Sequence, residues 1–245
     1  MRRLLFWDLD HMLFDTDASQ AAAIDAVLGA RTDADPSVDL GVRFAEINEA
    51  LWRRVEREGL SPNVVKTARF EQLVDETGID ADPADLAVEY ADALGRCGDA
   101  YAGAEDALAA GREIAAAMGL ITNGIGDIQR ARIGRTGLDR WFDGITISGE
   151  VGTTKPNREI FDIARDAVGA HAHGSDLDEV MLGDSLVSDI RGGLGTGMRV
   201  VWFDRFDRGW PTDAEWTTRL AEHDGRAHRI TSLIELPDLL RDLPR

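Results

Sequence analysis

The chain has 245 residues, of which 44% are hydrophobic, so it is long enough to bury a sizeable core, with or without an inserted domain. Its formal net charge is −18 at pH 7. A negative field of this size repels nucleic acids and anionic membranes, so we expect neither as a partner. A small phosphorylated substrate would need a local cation, either a metal ion or a few placed arginines and lysines.

Cysteine usage and the N-terminus bear on the compartment. The single cysteine, Cys97, excludes an intrachain disulfide and a zinc site built from several cysteines, which fits a reducing environment. The chain reaches Asp8 after only four apolar residues, too few for a secretory signal, and no later apolar run approaches membrane-spanning length. We therefore expect a soluble, cytoplasmic protein of undetermined oligomeric state.

Short apolar runs of β type alternate with helical stretches, which favours an α/β domain with a mainly parallel sheet. The predicted strands are Leu4–Trp7, Met118–Thr122, Ile145–Ser148, Val180–Gly183, Arg199–Phe203 and Arg229–Thr231. Apolar residues at helical spacing predict four helices between the first two strands, at Gln20–Leu28, Val42–Glu58, Val64–Thr77 and Pro83–Leu94. This is too much helix for one crossover. We therefore predict a helical domain at residues 16–99, inserted into a core formed by residues 1–15 and 100–245.

Asp8 and Asp10 directly follow the first predicted strand. Ligands of an open parallel sheet bind outside the carboxyl ends of its strands, so the residues after each strand are candidates for a site. Two crowded carboxylates repel each other, which favours a bound cation or protonation of one of them. The pair therefore fits a nucleophile beside a proton donor, although a solvated acidic loop has the same pattern.

Polar residues also follow the second predicted strand. Thr122 and Asn123 precede a glycine and a predicted helix at Ile125–Arg135. The free N–H groups at the start of such a helix can hold a phosphate oxygen. An ordinary helix N-cap is the alternative interpretation of the same residues.

Lys155 is one of only two lysines and lies in a Thr-Lys-Pro turn before a predicted helix at Arg158–Val168. It can enter the site as a point cation beside carboxylates and phosphate, or lie on the surface in solvent.

Asp184 and Asp189 follow the fourth predicted strand. Asp184 can join Asp8 and the backbone carbonyl of Asp10 as an oxygen ligand of Mg²⁺. Asp189, about one helical turn further on, can orient a metal-bound water. An N-cap aspartate followed by a solvated one is the alternative.

In this order, the motifs D-x-D, T-N-G, K-P and G-D-x-x-x-x-D strongly resemble those of the haloacid dehalogenase-like hydrolase superfamily. The resemblance covers essentially the whole chain. It implies a doubly wound, Rossmann-like core and a helical cap inserted just after the first motif. Segments at 48–52, 67–70 and 147–152 look like the branch that contains pyrimidine 5′-nucleotidases.

The resemblance also implies a role for each motif residue. Asp8 would be the nucleophile that forms an aspartyl-phosphate, and Asp10 the acid that protonates the leaving alkoxide and then accepts a proton from water. Thr122, Asn123 and Lys155 would bind the phosphoryl group, and Mg²⁺ would offset its charge. Halide needs no proton to leave, so an acid at position 10 favours phosphate-ester hydrolysis over dehalogenation.

We therefore expect a Mg²⁺-dependent phosphatase of a small phosphorylated metabolite, with a nucleoside 5′-monophosphate as the expected substrate. A 2-haloacid dehalogenase is one alternative. The other is a catalytically weakened binding protein, motivated by His11 and Met12, where the family usually has a small or polar residue and then Thr. Met12 cannot provide the hydroxyl hydrogen bond with which that Thr braces the loop.

Several other residues have open roles. His11 can contact substrate or the cap hinge, or point into solvent. His171 and His173 lack metal-ligand spacing and are expected on the surface. The aromatic and basic residues of the predicted cap can face the substrate or form the cap's own core. They are Trp52, Arg53, Arg69 and Phe70.

Overall fold

The computed structural model describes residues 2–31, 33, 37–169 and 177–243. The strands are β1 (Arg2–Trp7), β2 (Ala115–Thr122), β3 (Gly144–Ile147), β4 (Leu177–Gly183), β5 (Arg199–Phe203) and β6 (Ala227–Ile230). They form one six-stranded sheet in the order β3-β2-β1-β4-β5-β6. Every pairing between these strands is parallel. The strand order reverses at β1, which confirms the predicted doubly wound, Rossmann-like α/β fold.

Four helices lie between β1 and β2 before the helix that leads into β2. They are α1 (Thr16–Leu28), α2 (Leu40–Glu58), α3 (Pro62–Thr77) and α4 (Pro83–Arg96). The remaining helices are α5 (Ala104–Ile114), α6 (Gly126–Thr136), α7 (Ser148–Val151), α8 (Arg158–Ala167), α9 (Gly192–Gly195), α10 (Ala214–Glu222) and α11 (Leu236–Asp242). A π-helical turn at Leu186–Arg191 and 3₁₀ segments at Leu138–Trp141 and Leu233–Glu235 complete the described elements.

β1 is the centre of the sheet because its side chains are buried on both faces. Leu5 and Trp7 belong to one hydrophobic cluster, while Leu4 and Phe6 belong to another on the opposite face. Side chains alternate across a strand, so a continuous apolar run is what a strand covered by helices on both faces requires. This burial places Asp8, the next residue, at the carboxyl edge of the sheet.

The four inserted helices have their own hydrophobic cluster, which Ile125 and Ile128 at the start of α6 extend. At its centre the ring of Phe44 contacts those of Phe70 and Tyr90, with centroids 5.1 and 4.9 Å away. Phe70 is therefore core rather than a substrate contact. The division into a cap of residues 16–99 and a core of residues 1–15 and 100–245 stays a prediction.

The other three candidates for substrate contact in the predicted cap have different environments. Arg69 is buried, with its guanidinium carbon 4.4 Å from the centre of the Tyr90 ring. Arg53 is exposed, with its guanidinium 3.4 Å from Glu49. Trp52 is half-buried and packs against the cluster of the inserted helices.

The segment after β4 continues further as helix than the sequence indicates. Gly192 and Gly193 begin α9 directly after the π-helical turn. A β-carbon at Gly192 would lie 2.7 Å from the Phe161 ring, and one at Gly193 would lie 2.8 Å from the Val200 side chain. Both glycines therefore allow close packing against the sheet and α8. Ser148, predicted to end a strand, begins α7, and its hydroxyl accepts a hydrogen bond from the Gly124 N–H at 2.9 Å.

His171 and His173 lie outside the described residues. No helix in the described part of the chain is long and apolar enough to cross a membrane.

Candidate active site

The residues predicted for the site meet at the carboxyl ends of three neighbouring strands. β1 lies between β2 and β4. Asp8, Thr122 and Asp184 therefore lie at one edge of the sheet, each where its strand ends.

Lys155 is the centre of the site, with only 1% of its surface exposed. Its Nζ lies 2.6 Å from Asp8 Oδ1 and 2.7 Å from Asp189 Oδ1, and it donates to the Ile121 carbonyl at 2.7 Å. The three ammonium donors are thus matched by three oxygens. The carboxylates raise the pKa of Lys155 further than burial lowers it, which keeps the ammonium charged.

Asn123 holds the backbone of Lys155 in place. Its side-chain oxygen accepts from the Lys155 N–H, and its side-chain N–H₂ donates to the Lys155 carbonyl, both at 2.9 Å. The same amide nitrogen lies 3.4 Å from Ser188 Oγ. Asn123 therefore positions Lys155, and its side chain could contact substrate only if one of these hydrogen bonds opened. Its predicted role in substrate binding stays a prediction.

Asp8, Asp184 and Asp189 can each place a carboxylate oxygen within 4.8 Å of the others. Burial raises the pKa of Asp8 to about 8, although Lys155 opposes this. Burial and the charges of Asp8 and Asp189 raise the pKa of Asp184 well above its usual range. The cluster has three carboxyl groups but only one ammonium group, which contacts two of them, and carboxylate oxygens are the donors that hard divalent cations prefer. The cluster therefore fits a divalent cation.

Asp189 is tied to its neighbours through both carboxylate oxygens. Oδ1 contacts Lys155, and Oδ2 accepts from the Ser185 N–H at 3.0 Å. A β-carbon at Gly183 would lie 2.2 Å from Asp189 Oδ2, so this close approach requires glycine. The predicted role of Asp189 in orienting a metal-bound water stays a prediction.

Thr122 is fully buried, and its hydroxyl accepts a hydrogen bond from Gln129 Nε2 at 2.9 Å. This bond does not use the hydroxyl proton, so Thr122 can still donate to a phosphoryl oxygen.

Asp10 has a different environment from Asp8. Its Oδ1 accepts from Arg132 Nη1 at 2.6 Å and from the Thr16 hydroxyl at 2.7 Å, and its Oδ2 accepts from Gln129 Nε2. Burial by itself raises the pKa of Asp10, but Arg132 and Thr16 outweigh it and lower the pKa to about 2. Asp10 is therefore an ionised carboxylate in this conformation, and it must leave Arg132 before it can donate a proton.

Sequence reasoning missed these partners of Asp10. Gln129 and Arg132 are three residues apart on α6, which places them on one face of that helix. Both are buried, and Arg132 lies 4.0 Å from the centre of the Phe14 ring. The sequence does hold a signal for them. They lie on one face of the helix that follows Thr122, and polar residues on the face of a helix next to a site are candidates to contact it.

His11 has a φ of 61°, in the left-handed region that favours glycine. This conformation explains why a small residue is usual at this position. Its Nε2 lies 3.8 Å from Asp17 Oδ1 in the first turn of α1. Burial, followed by Arg205, lowers its pKa. The imidazole therefore faces the start of the inserted helices rather than open solvent.

Met12 is fully buried in the same cluster as Leu5 and Trp7. The hydroxyl bond that it cannot provide comes from Thr16, four residues later. Asp10 therefore keeps a hydroxyl hydrogen bond even though position 12 departs from the usual family residue.

We predict that Met12→Thr will destabilise the protein and will not raise its activity. It removes buried apolar volume and buries a hydroxyl in an apolar cluster, at a cost of about 2 kcal/mol. Thermal melting should show a lower Tm, while the volume-conserving control Met12→Leu should change it little. Increased phosphate release from an aryl phosphate at an unchanged Tm would contradict this account.

Comparison with known proteins identifies the family. A family model described as haloacid dehalogenase-like hydrolase matches residues 3–197. The pyrimidine 5′-nucleotidase YjjG of Escherichia coli is 30% identical over 96% of this chain and 96% of its own length. The pyrimidine 5′-nucleotidase PynA of Streptococcus pneumoniae is 30% identical over 82% of this chain and 84% of its own length.

A solved structure agrees with this assignment. The hydrolase YfnB of Bacillus subtilis, bound to magnesium, superposes with a TM-score of 0.79 at 26% identity and covers 98% of both chains. The chain belongs to the haloacid dehalogenase-like hydrolase family and is an enzyme of its phosphoric monoester hydrolase group.

Proposed function

We propose that the chain is a Mg²⁺-dependent phosphatase that hydrolyses nucleoside 5′-monophosphates through an aspartyl-phosphate on Asp8. The observation that carries the proposal is the buried contact of Lys155 with Asp8 and Asp189. Asp10, close to Asp8 in the sequence, has different partners, among them Arg132. Two relatives that this chain matches over most of their length are pyrimidine 5′-nucleotidases, which supports a nucleotide substrate.

Asp8 would act as the nucleophile. Lys155 binds its Oδ1 and favours the ionised form, which leaves Oδ2 to attack phosphorus. As the P–O bond to the alkoxide breaks, negative charge on the phosphoryl oxygens is stabilised by the Lys155 ammonium and the Thr122 hydroxyl. The product of this step is an acyl phosphate, the mixed anhydride of the Asp8 carboxyl group and phosphate.

Asp10 would supply and recover the proton. A bound phosphate dianion raises the pKa of a nearby carboxylate, so substrate binding opposes the lowering by Arg132. Asp10 would then turn away from Arg132 in its protonated form and donate its proton to the leaving alkoxide. It would next accept a proton from the water that attacks phosphorus, which releases inorganic phosphate and regenerates Asp8.

Asp8, Asp184 and the backbone carbonyl of Asp10 would hold Mg²⁺, whose charge, when bound, offsets that of the nucleophile and substrate phosphate. The cluster of three carboxyl groups supports this assignment. The magnesium bound to the B. subtilis relative is consistent with it.

Dehalogenation of 2-haloacids is the alternative reaction. It would also use Asp8 as nucleophile, but it gives Asp10 no proton to transfer. Metal-independent halide release from 2-chloropropionate would favour it over phosphate-ester hydrolysis.

The direct test is phosphate release from uridine 5′-monophosphate. Release should require Mg²⁺, should stop with EDTA, and should be abolished by Asp8→Asn. Asp85→Asn removes an exposed carboxylate from the first turn of α4 and should leave the rate unchanged. An unaffected Asp8→Asn enzyme, or release that persists in EDTA, would refute the proposed chemistry.

Asp10→Asn should reduce turnover in a way that depends on the leaving group. Without the acid, an alkoxide must leave unprotonated, so hydrolysis of an alkyl phosphate should slow by roughly 10²–10⁴-fold. A nitrophenolate leaves without help, so hydrolysis of p-nitrophenyl phosphate should slow much less. The comparison is made on kcat/KM, which reports only the steps up to departure of the leaving group. Equal losses of kcat/KM for the two substrates would show that Asp10 is not the proton donor.

Magnesium binding should become tighter as the pH rises from 6 to 8. Burial raises the pKa of Asp8 to about 8, so this carboxyl holds a proton near neutral pH without metal, and the raised pKa of Asp184 acts in the same direction. A bound cation must displace such protons. The increase in Tm caused by Mg²⁺ should therefore be larger at pH 8 than at pH 6. In the Asp184→Asn variant, both the increase in Tm caused by Mg²⁺ and its dependence on pH should be smaller. A Tm increase that is the same at both pH values would contradict this linkage.

A further inference from the structure

Glu56 is a carboxylate of the inserted helices that reaches the edge of the catalytic site. It lies near the end of α2, and its Oε1 accepts from the hydroxyls of Ser185 at 2.9 Å and Ser188 at 2.8 Å. These serines belong to the segment that carries Asp184 and Asp189. Glu56 therefore bridges the inserted helices to the loop that holds the acidic cluster.

Two short connections place Glu56 beside the phosphoryl site. Ser188 Oγ lies 3.4 Å from the Asn123 amide that positions Lys155. Ser185, the other partner of Glu56, donates its backbone N–H to Asp189 Oδ2 at 3.0 Å. A leaving group that extends from a phosphoryl group at Asp8 toward α2 would meet Glu56.

The partners of Glu56 determine what it can recognise. Both are neutral hydroxyls, and in the described part of the chain no lysine or arginine lies within ion-pair distance of it. A carboxylate accepts hydrogen bonds but donates none, so it can accept from hydroxyls of a leaving group. It repels a leaving group that carries its own negative charge, and the neighbouring carboxylates add to this effect.

We propose that Glu56 determines specificity by favouring phosphate esters with neutral, hydroxyl-bearing leaving groups and rejecting those whose leaving group carries a carboxylate. This inference rests on the proposed phosphatase function and adds a substrate filter to it. A nucleoside is such a neutral leaving group, and a hydroxy acid is not.

The test uses two substrates that differ in whether the leaving group carries a carboxylate. Glycerol 3-phosphate and 3-phosphoglycerate share a three-carbon skeleton, and the second has a carboxylate in place of a hydroxymethyl group. Glu56→Gln removes the charge but keeps the oxygen that accepts from both serines. It should raise kcat/KM for 3-phosphoglycerate relative to glycerol 3-phosphate by about five- to tenfold, because a nearby unit charge no longer repels it. Uridine 5′-monophosphate should change much less.

Glu58→Gln is the matched control. It removes the same charge from the same helix, but Glu58 is exposed and pairs with Arg54 at 3.0 Å. The substrate ratio should not change in this variant. If Glu56→Gln lowers kcat/KM equally for all substrates, Glu56 only holds the inserted helices against the core, and the proposal is overturned. An unchanged ratio would overturn it as well.

Binding separates this inference from the proposed function. The dissociation constants of both esters can be measured by calorimetry in Asp8→Asn, with and without Glu56→Gln. The ratio of these constants should shift in the same direction as the kinetic ratio. If the wild-type enzyme releases no phosphate from any ester, the proposed function fails, while the binding ratio still decides the role of Glu56.

Discussion

The site depends on one buried ammonium group between two carboxylates. Lys155 is almost completely removed from water, and its contacts with Asp8 and Asp189 supply the charge that burial would otherwise leave uncompensated. Removing one member of such a buried set costs about 3–5 kcal/mol, because the remaining charges lose their partner. Asn123 and the missing β-carbon of Gly183 both serve this contact, the first by holding the lysine backbone and the second by making room for Asp189.

The two aspartates of the first motif are chemically distinct because the fold gives them different neighbours. Asp8 faces other carboxylates and Lys155, and burial raises its pKa. Asp10 faces Arg132 and Thr16, which lower its pKa. A pair of titratable groups with pKa values pushed apart is the pattern from which separate nucleophile and acid roles can be assigned. In the proposed mechanism, the conformation with Asp10 bound to Arg132 is a resting state, from which the Asp10 carboxyl would turn before it donates a proton.

Part of this arrangement was predictable from the sequence. The strand β1 could be predicted because an unbroken apolar run fits only a strand covered on both faces, and Asp8 then had to lie at its carboxyl end. Asp184 and Thr122 follow the same rule, since neighbouring parallel strands bring their ends together. Lys155 was identified from its turn and from the scarcity of lysine.

The remaining contacts depend on tertiary packing that no local pattern specifies. Gln129 and Arg132 reach Asp10 only because α6 packs beside the turn after β1, and Thr16 reaches it from the start of α1. Gly192 and Gly193 matter for their small size, because larger residues would not fit against α8 and the sheet. The pairing of the Asn123 side chain with the Lys155 backbone likewise depends on tertiary packing.

The central claim is that Lys155 prepares Asp8 to accept the phosphoryl group. The most direct measurement is rapid quenching of the enzyme during turnover of phosphorus-labelled uridine 5′-monophosphate with Mg²⁺, followed by mass spectrometry of the peptide that contains Asp8. The account predicts a transient phosphoryl group on Asp8 that forms and decays at rates compatible with turnover. Turnover without label on Asp8 at any time, or with label on another residue, would contradict it.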